Sequence, residues 1–187
     1  HHLTRGASVT TDPTNAARTL LFDIDARRWS DELCALFGVD PAWLPEKVAT
    51  MRAAILAAAR SGQIEALRTP LEWNEIKPEF SATPVGDPIA HWKAQSADGQ
   101  GRQILAILLE ILETPPAVVG AGTSAERYVW PGFAEVDLRA LPPPLEVMLY
   151  RLVSPAEATV MRDAGTWTWW RLSIGADGTW HSFLKGR

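Results

Sequence analysis

In the stretch TTDPTNAARTLLFDI, residues 10–24, an aspartate follows two hydroxyl residues and precedes a proline, an asparagine and an apolar run. That order reads as an active-site turn feeding a strand, with Asp12 at the turn. Further along, Asp87 and His91 stand four apart, on one helical face, and could make an acid–base pair. Asp87 immediately before Pro88 is equally an N-cap by position. Glu72, Glu75 and Glu79 offer carboxylate oxygens or simply a solvated acidic loop; no metal-ligand spacing accompanies them, so no metal is expected. Trp167, Trp169, Trp170 and Trp180 cluster near the C-terminus, where indole rings either stack on a ligand or pack in a core. The nucleophile elbow, the P-loop and the C-x-x-C pair are all missing from the sequence.

The elements that would hold these residues follow from periodicity and punctuation. Residues 20–24 read as a short strand, and Ser30 opens a helix that Gly38 ends. Asp40 and Pro41 start a second short turn, and LPEKVAT, residues 44–50, reads as a seam. Thr50 then caps an alanine-rich helix closed by Gly62. Residues 69–88 are rich in proline and turn formers and read mostly as loop, with a short helix from Pro88. RQILAILLEILE is apolar around most of its circumference, as suits a central buried helix. AVVGAG and RYVWP are candidate strands, and PPPLEVMLYRL reads as a helix. SPAEATVMRDAG is a helix with Ser154 as cap, Glu157 completing a capping box and Gly165 past its end. GADG joins two strand-like runs into a hairpin, with Trp167 and Trp169 on one face of the first and Trp170 on the other. These elements predict an α+β fold, helices packed with a small antiparallel sheet that ends in a C-terminal β-hairpin.

The motif T-D-x-T-N-A-x-R-T, present as Thr11, Asp12, Thr14, Asn15, Ala16, Arg18 and Thr19, resembles the FGGY carbohydrate kinases, particularly glycerol kinase and xylulokinase members. The likeness covers about residues 3–46. It implies that Asp12 is the general base that takes a sugar or polyol hydroxyl proton during phosphoryl transfer, with ATP and Mg²⁺ as partners in the reaction. The family's phosphate-binding hairpin and glycine-rich nucleotide site have no counterpart along the chain. A D-x-G-T match at Asp163, Gly165 and Thr166 follows a well-capped helix instead of a strand, so Gly165 reads as that helix's C-cap. From about residue 51 the chain is similar, through GDPIAHWK, GRQILAIL, YVWP, LYRLVSPAE and IGADGTWHSF, to a group of α-proteobacterial proteins. That likeness implies a self-standing domain and carries no activity with it.

Composition sets the outer bounds. A chain of 187 residues with 47% hydrophobic content suits one domain, or one domain with an appended segment. A net charge of −4 argues against a nucleic-acid surface. The most apolar stretch, residues 104–112, is interrupted by Glu110 and is too short to span a bilayer. Cys34 stands alone, which is compatible with the cytoplasm but leaves localisation open; His1-His2 reads as a tag remnant or the cut end of a longer chain. Of nine tryptophans, Trp29, Trp43, Trp73, Trp92 and Trp130 are scattered singly, as packing residues usually are.

The sequence therefore reads as a composite: residues 1–47 an incomplete kinase-like segment, residues 48–187 a compact α+β domain that binds or assembles. Gene fusion, truncation and a sequence-assembly join would each produce it. Its candidate binding residues are Trp167, Trp169 and Trp180, facing a small molecule, a glycan or a protein, with no cofactor required. The alternative is a component of an ATP-dependent carbohydrate or polyol kinase with Asp12 as base.

Overall fold

The computed structural model describes residues 22–23, 28–29, 44–74, 78–81 and 85–186. Asp12, the helix expected from Ser30 to Gly38, the Asp40–Pro41 turn and Glu75 lie outside them. Within the kinase-like segment the backbone forms a two-residue antiparallel ladder, β1 (Phe22–Asp23) with β2 (Arg28–Trp29), and β1 falls inside the strand expected at 20–24.

The remainder is α+β, as its sequence indicates. Six helices are present among the described residues: α1 (Glu46–Arg60), α2 (Arg68–Glu72), α3 (Pro88–Gln95), α4 (Arg102–Leu112), α5 (Pro143–Leu152) and α6 (Pro155–Ala164). An antiparallel sheet runs β3 (Ala117–Val119), β4 (Arg127–Trp130), β5 (Trp170–Gly175), β6 (Trp180–Lys185) in that spatial order, and β5–β6 is the C-terminal hairpin.

Local chemistry explains most of the boundaries. Asp87 accepts a hydrogen bond from Ile89 N–H and opens α3. Ser154 and Glu157 form the reciprocal capping box of α6, and Gly165 ends it at φ 69°, where a side chain would be strained. The D-x-G-T match is thus a helix terminus. α1 starts at Glu46, within the stretch 44–50, so Thr50 is not a cap but an interior residue whose hydroxyl donates to Glu46 O. The stretch read as loop likewise contains α2, which follows directly on a 3-10 turn, Ile64–Leu67.

Two apolar clusters hold the fold. The larger joins α1, α3 and α4 to one face of the sheet through Ile55, Trp92, Leu108, Leu172, Trp180 and Phe183. Only one side of α4 is buried; Arg102, Gln103, Ala106 and Glu110 face solvent, so its apolar circumference is wider than its buried stripe. The smaller cluster packs Phe133, Leu138, Leu145, Leu149, Met161 and Trp167 around α5 and α6. No helix among the described residues is long and apolar enough to cross a membrane.

Candidate functional site

The hairpin's pairing decides which side chains face outward. Along β5, Leu172 and Ile174 enter the core, which turns Arg171 and Ser173 to the other face. On β4, Tyr128 and Trp130 enter the core and Arg127 and Val129 face outward. On β6 strict alternation would put Trp180 outward with Ser182 and Leu184. A bulge intervenes: Ser173 pairs with Ser182, while the next residue, Ile174, pairs with Trp180, leaving His181 as the extra residue. The bulge sends Trp180 inward and leaves His181 exposed on the outer side.

A groove of about 830 Å³ runs over this outer face. Its floor is Val129, Ser173 and Ser182, and the two serine hydroxyls hydrogen-bond at 2.7 Å. Arg127 and Arg171 flank that floor, half-buried, and their guanidinium groups make neither a hydrogen bond nor an ion pair among the described residues. Glu79 and Glu135 stand exposed at the rim. At one end, a Cβ added to Gly175 would lie 2.6 Å from Asp177 Oδ1 and 2.7 Å from His181 Nε2, so both side chains close over the glycine. Hydrogen bonds from Thr179, backbone first and hydroxyl second, together with nearby His181, hold the Asp177 carboxyl below its usual range.

The rim is pinned from the other side. Glu79 N–H donates to His181 O at 2.8 Å and Phe183 N–H donates to Glu79 O at 3.0 Å, a one-residue parallel bridge along the edge of β6. Asn74 Oδ1 accepts Trp180 N–H at 2.8 Å, while its Nδ2 donates to Pro70 O and Leu71 O. The Asn74 bonds hold the chain next to Trp73, a residue of the groove wall that is 53% exposed.

The sequence-derived candidates are dispersed. Trp180 is fully buried, stacked on Trp92 at 5.8 Å between ring centroids, and its Nε1 donates to Ser182 O. It stands opposite Ile174 across the hairpin. Trp167 is also buried, stacked on Phe133 with its Nε1 donating to Trp170 O. Because β5 begins only at Trp170, the expected alternation does not extend back to Trp167 and Trp169. Trp169 is half-buried, with Lys185 Nζ 4.1 Å from its ring centroid. Asp87 is bound bidentately by Arg68, whose hydrogen bonds hold its carboxyl below the usual range, and His91 contacts Gln95, so these two do not act on one another. Of the three glutamates, Glu79 reaches the groove; among the described residues no group of three or more ligating side chains could hold a metal. Arg127, Arg171 and His181 were not singled out by sequence, and Trp73, read there as a packing residue, is exposed. Arg171 and Ser173 alternating with Leu172 and Ile174 was the available signal.

Comparison with known proteins bears on the N-terminal segment. A 48-residue stretch is 56% identical to the glycerol kinase of Rhodospirillum rubrum, covering 26% of this chain and 10% of that protein. Similar matches join 44 residues to the glycerol kinases of Roseobacter denitrificans, at 57% identity, and Xanthobacter autotrophicus, at 59%; each covers 24% of this chain and 9% of the relative. A segment of this chain thus resembles the glycerol kinases of the FGGY family, over the length its motif indicates. The chain spans about a tenth of the length of these curated relatives. No protein-family profile matches the chain, and no solved structure matches it.

Proposed function

We propose that the chain joins a kinase-derived segment without a complete catalytic site to an α+β binding module, and that the module binds a small polar ligand on the outer face of β4, β5 and β6. One observation supports this reading: two half-buried arginines, Arg127 and Arg171, flank a groove floored by hydroxyls, with no acid paired to either among the described residues. Guanidinium donors cost free energy to desolvate unless they are used, and a ligand would use them. The volume also falls in the range of roughly 300–1,000 Å³ usual for small-molecule sites. Thermal shift against a panel of saccharides, amino acids, dicarboxylates and phosphate esters tests it. A stabilising compound whose effect disappears in Arg127→Ala and Arg171→Ala supports the module; stabilisation indifferent to both substitutions removes it.

A second reading, favoured by the 56% identity to a glycerol kinase, makes the chain a component of an ATP-dependent polyol kinase with Asp12 as general base. Glycerol-dependent ADP release that disappears in Asp12→Ala would support that reading against the first.

A further inference from the structure

We infer that the groove takes a neutral saccharide, with a sugar ring laid on Trp73; this rests on the binding-module reading and names its ligand class. The charges in the groove argue first. Beside Arg127 and Arg171 the lining carries three carboxylates, Glu79, Glu135 and Asp177, none within ion-pair distance of either, so it has no excess positive charge to attract a phosphate or dicarboxylate. A cation would meet the two guanidinium groups. A sugar hydroxyl donates and accepts at once, so one ligand can satisfy the arginines as acceptor and the rim carboxylates as donor.

The second observation is Trp73. Trp92, Trp130, Trp167, Trp170 and Trp180 are buried and Trp169 is half-buried, whereas Trp73 is more than half exposed. It lines the groove and also an adjoining hollow of about 410 Å³ beside α1, so it forms a wall between two recesses. Its position is held by α2 on one side and by the Asn74 bonds to the hairpin on the other. An accessible indole on a held backbone has only two side-chain torsions to lose when a ligand covers it. A pyranose ring presents C–H groups on its face and hydroxyls at its rim, which matches an aromatic platform beside polar side chains.

Titration calorimetry on the full chain with maltohexaose, cellohexaose and chitohexaose, and in parallel with succinate and inorganic phosphate, tests this. The expected result is binding of at least one hexasaccharide, weakened tenfold or more in Trp73→Ala and largely restored in Trp73→Phe, with the melting temperature unchanged in both. Binding of succinate or phosphate alone, lost in Arg171→Ala, overturns the saccharide assignment and leaves the module standing. Saccharide binding unaffected by Trp73→Ala overturns the platform. Binding of none of the five probes overturns the saccharide assignment, and the module then stands or falls by the wider thermal-shift panel.

Discussion

Trp180 is where the sequence's most conspicuous residue type meets the fold's least obvious device. One extra residue at His181 turns its indole into the core, where it stacks on Trp92 and meets Phe80 edge-on at 5.9 Å. Trp180→Ala is expected to cost about 3–5 kcal/mol, the range for truncating a buried tryptophan, read from denaturant unfolding; a cost under about 1 kcal/mol would mean the cluster does not bear on stability. Gly175 has a different role. The atoms that a Cβ would meet are the ends of the Asp177 and His181 side chains, which can move. Gly175→Ala should therefore leave stability nearly intact and displace the His181 ring, visible as a changed imidazole resonance; an unchanged resonance would contradict the close approach. Tyr128 supplies a pH signature. Burial, followed by its hydrogen bond to Glu126 at 3.0 Å, pushes its phenol up to about 12. Unfolding restores a value of about 10, so the protonated phenol stabilises the fold fully below pH 10, and that contribution is lost as pH rises through about 12. A phenolate absorbance titration should show a late phase near pH 12 that Tyr128→Phe removes.

At the scale of elements, the ends are better determined than the middles. Arg52 reaches from α1 to Leu112 O at the C-terminus of α4, with bonds of 2.9 and 2.6 Å. The carbonyls there have no helical partner, and a guanidinium supplies one. Arg52→Met should cost about 1.5–3 kcal/mol, as expected for a charged hydrogen bond, and should loosen α4 against α1 in amide exchange; protection equal to the wild type would count against the link. Capping chemistry was legible from sequence because it is local: Ser154, Glu157 and Gly165 specify α6 without help from distant residues. Thr50 misleads by the same logic. A threonine ahead of an alanine-rich run has the composition of a cap, yet Pro45 and Glu46 start α1 earlier, and Val48 and Met51 are buried along with the rest of its apolar side. The bulge in β6 was not legible at all. Its cause is tertiary, since Trp180 gains a stacked partner on α3 and the edge beside His181 gains the Glu79 bridge.

For the whole molecule, the two parts of the chain rest on different kinds of support. The N-terminal segment is characterised by its likeness to glycerol kinases, and Asp12 lies outside the described residues. The remainder is characterised by geometry: a sheet with its aromatic face on the helices and a polar, arginine-flanked face turned away from them. The fold class followed from helix and hairpin signals, whereas the groove required knowing which strands become neighbours. Arg127 and Arg171 are 44 positions apart in sequence and share a face only because β4 pairs with β5. On the binding-module reading this face, and not a phosphoryl-transfer centre at Asp12, is where the chain meets its ligand. The most direct test is a nitrogen–proton correlation spectrum of the labelled chain, titrated with ATP·Mg²⁺ plus glycerol and, separately, with the hexasaccharides. Shifts are expected at residues 127–129, 171–173 and 179–184 and at the Trp73 indole with a saccharide, and none around residues 11–19 with nucleotide. Shifts around residues 11–19 with ATP·Mg²⁺ and glycerol, while the hairpin stays silent to every saccharide, would contradict that reading.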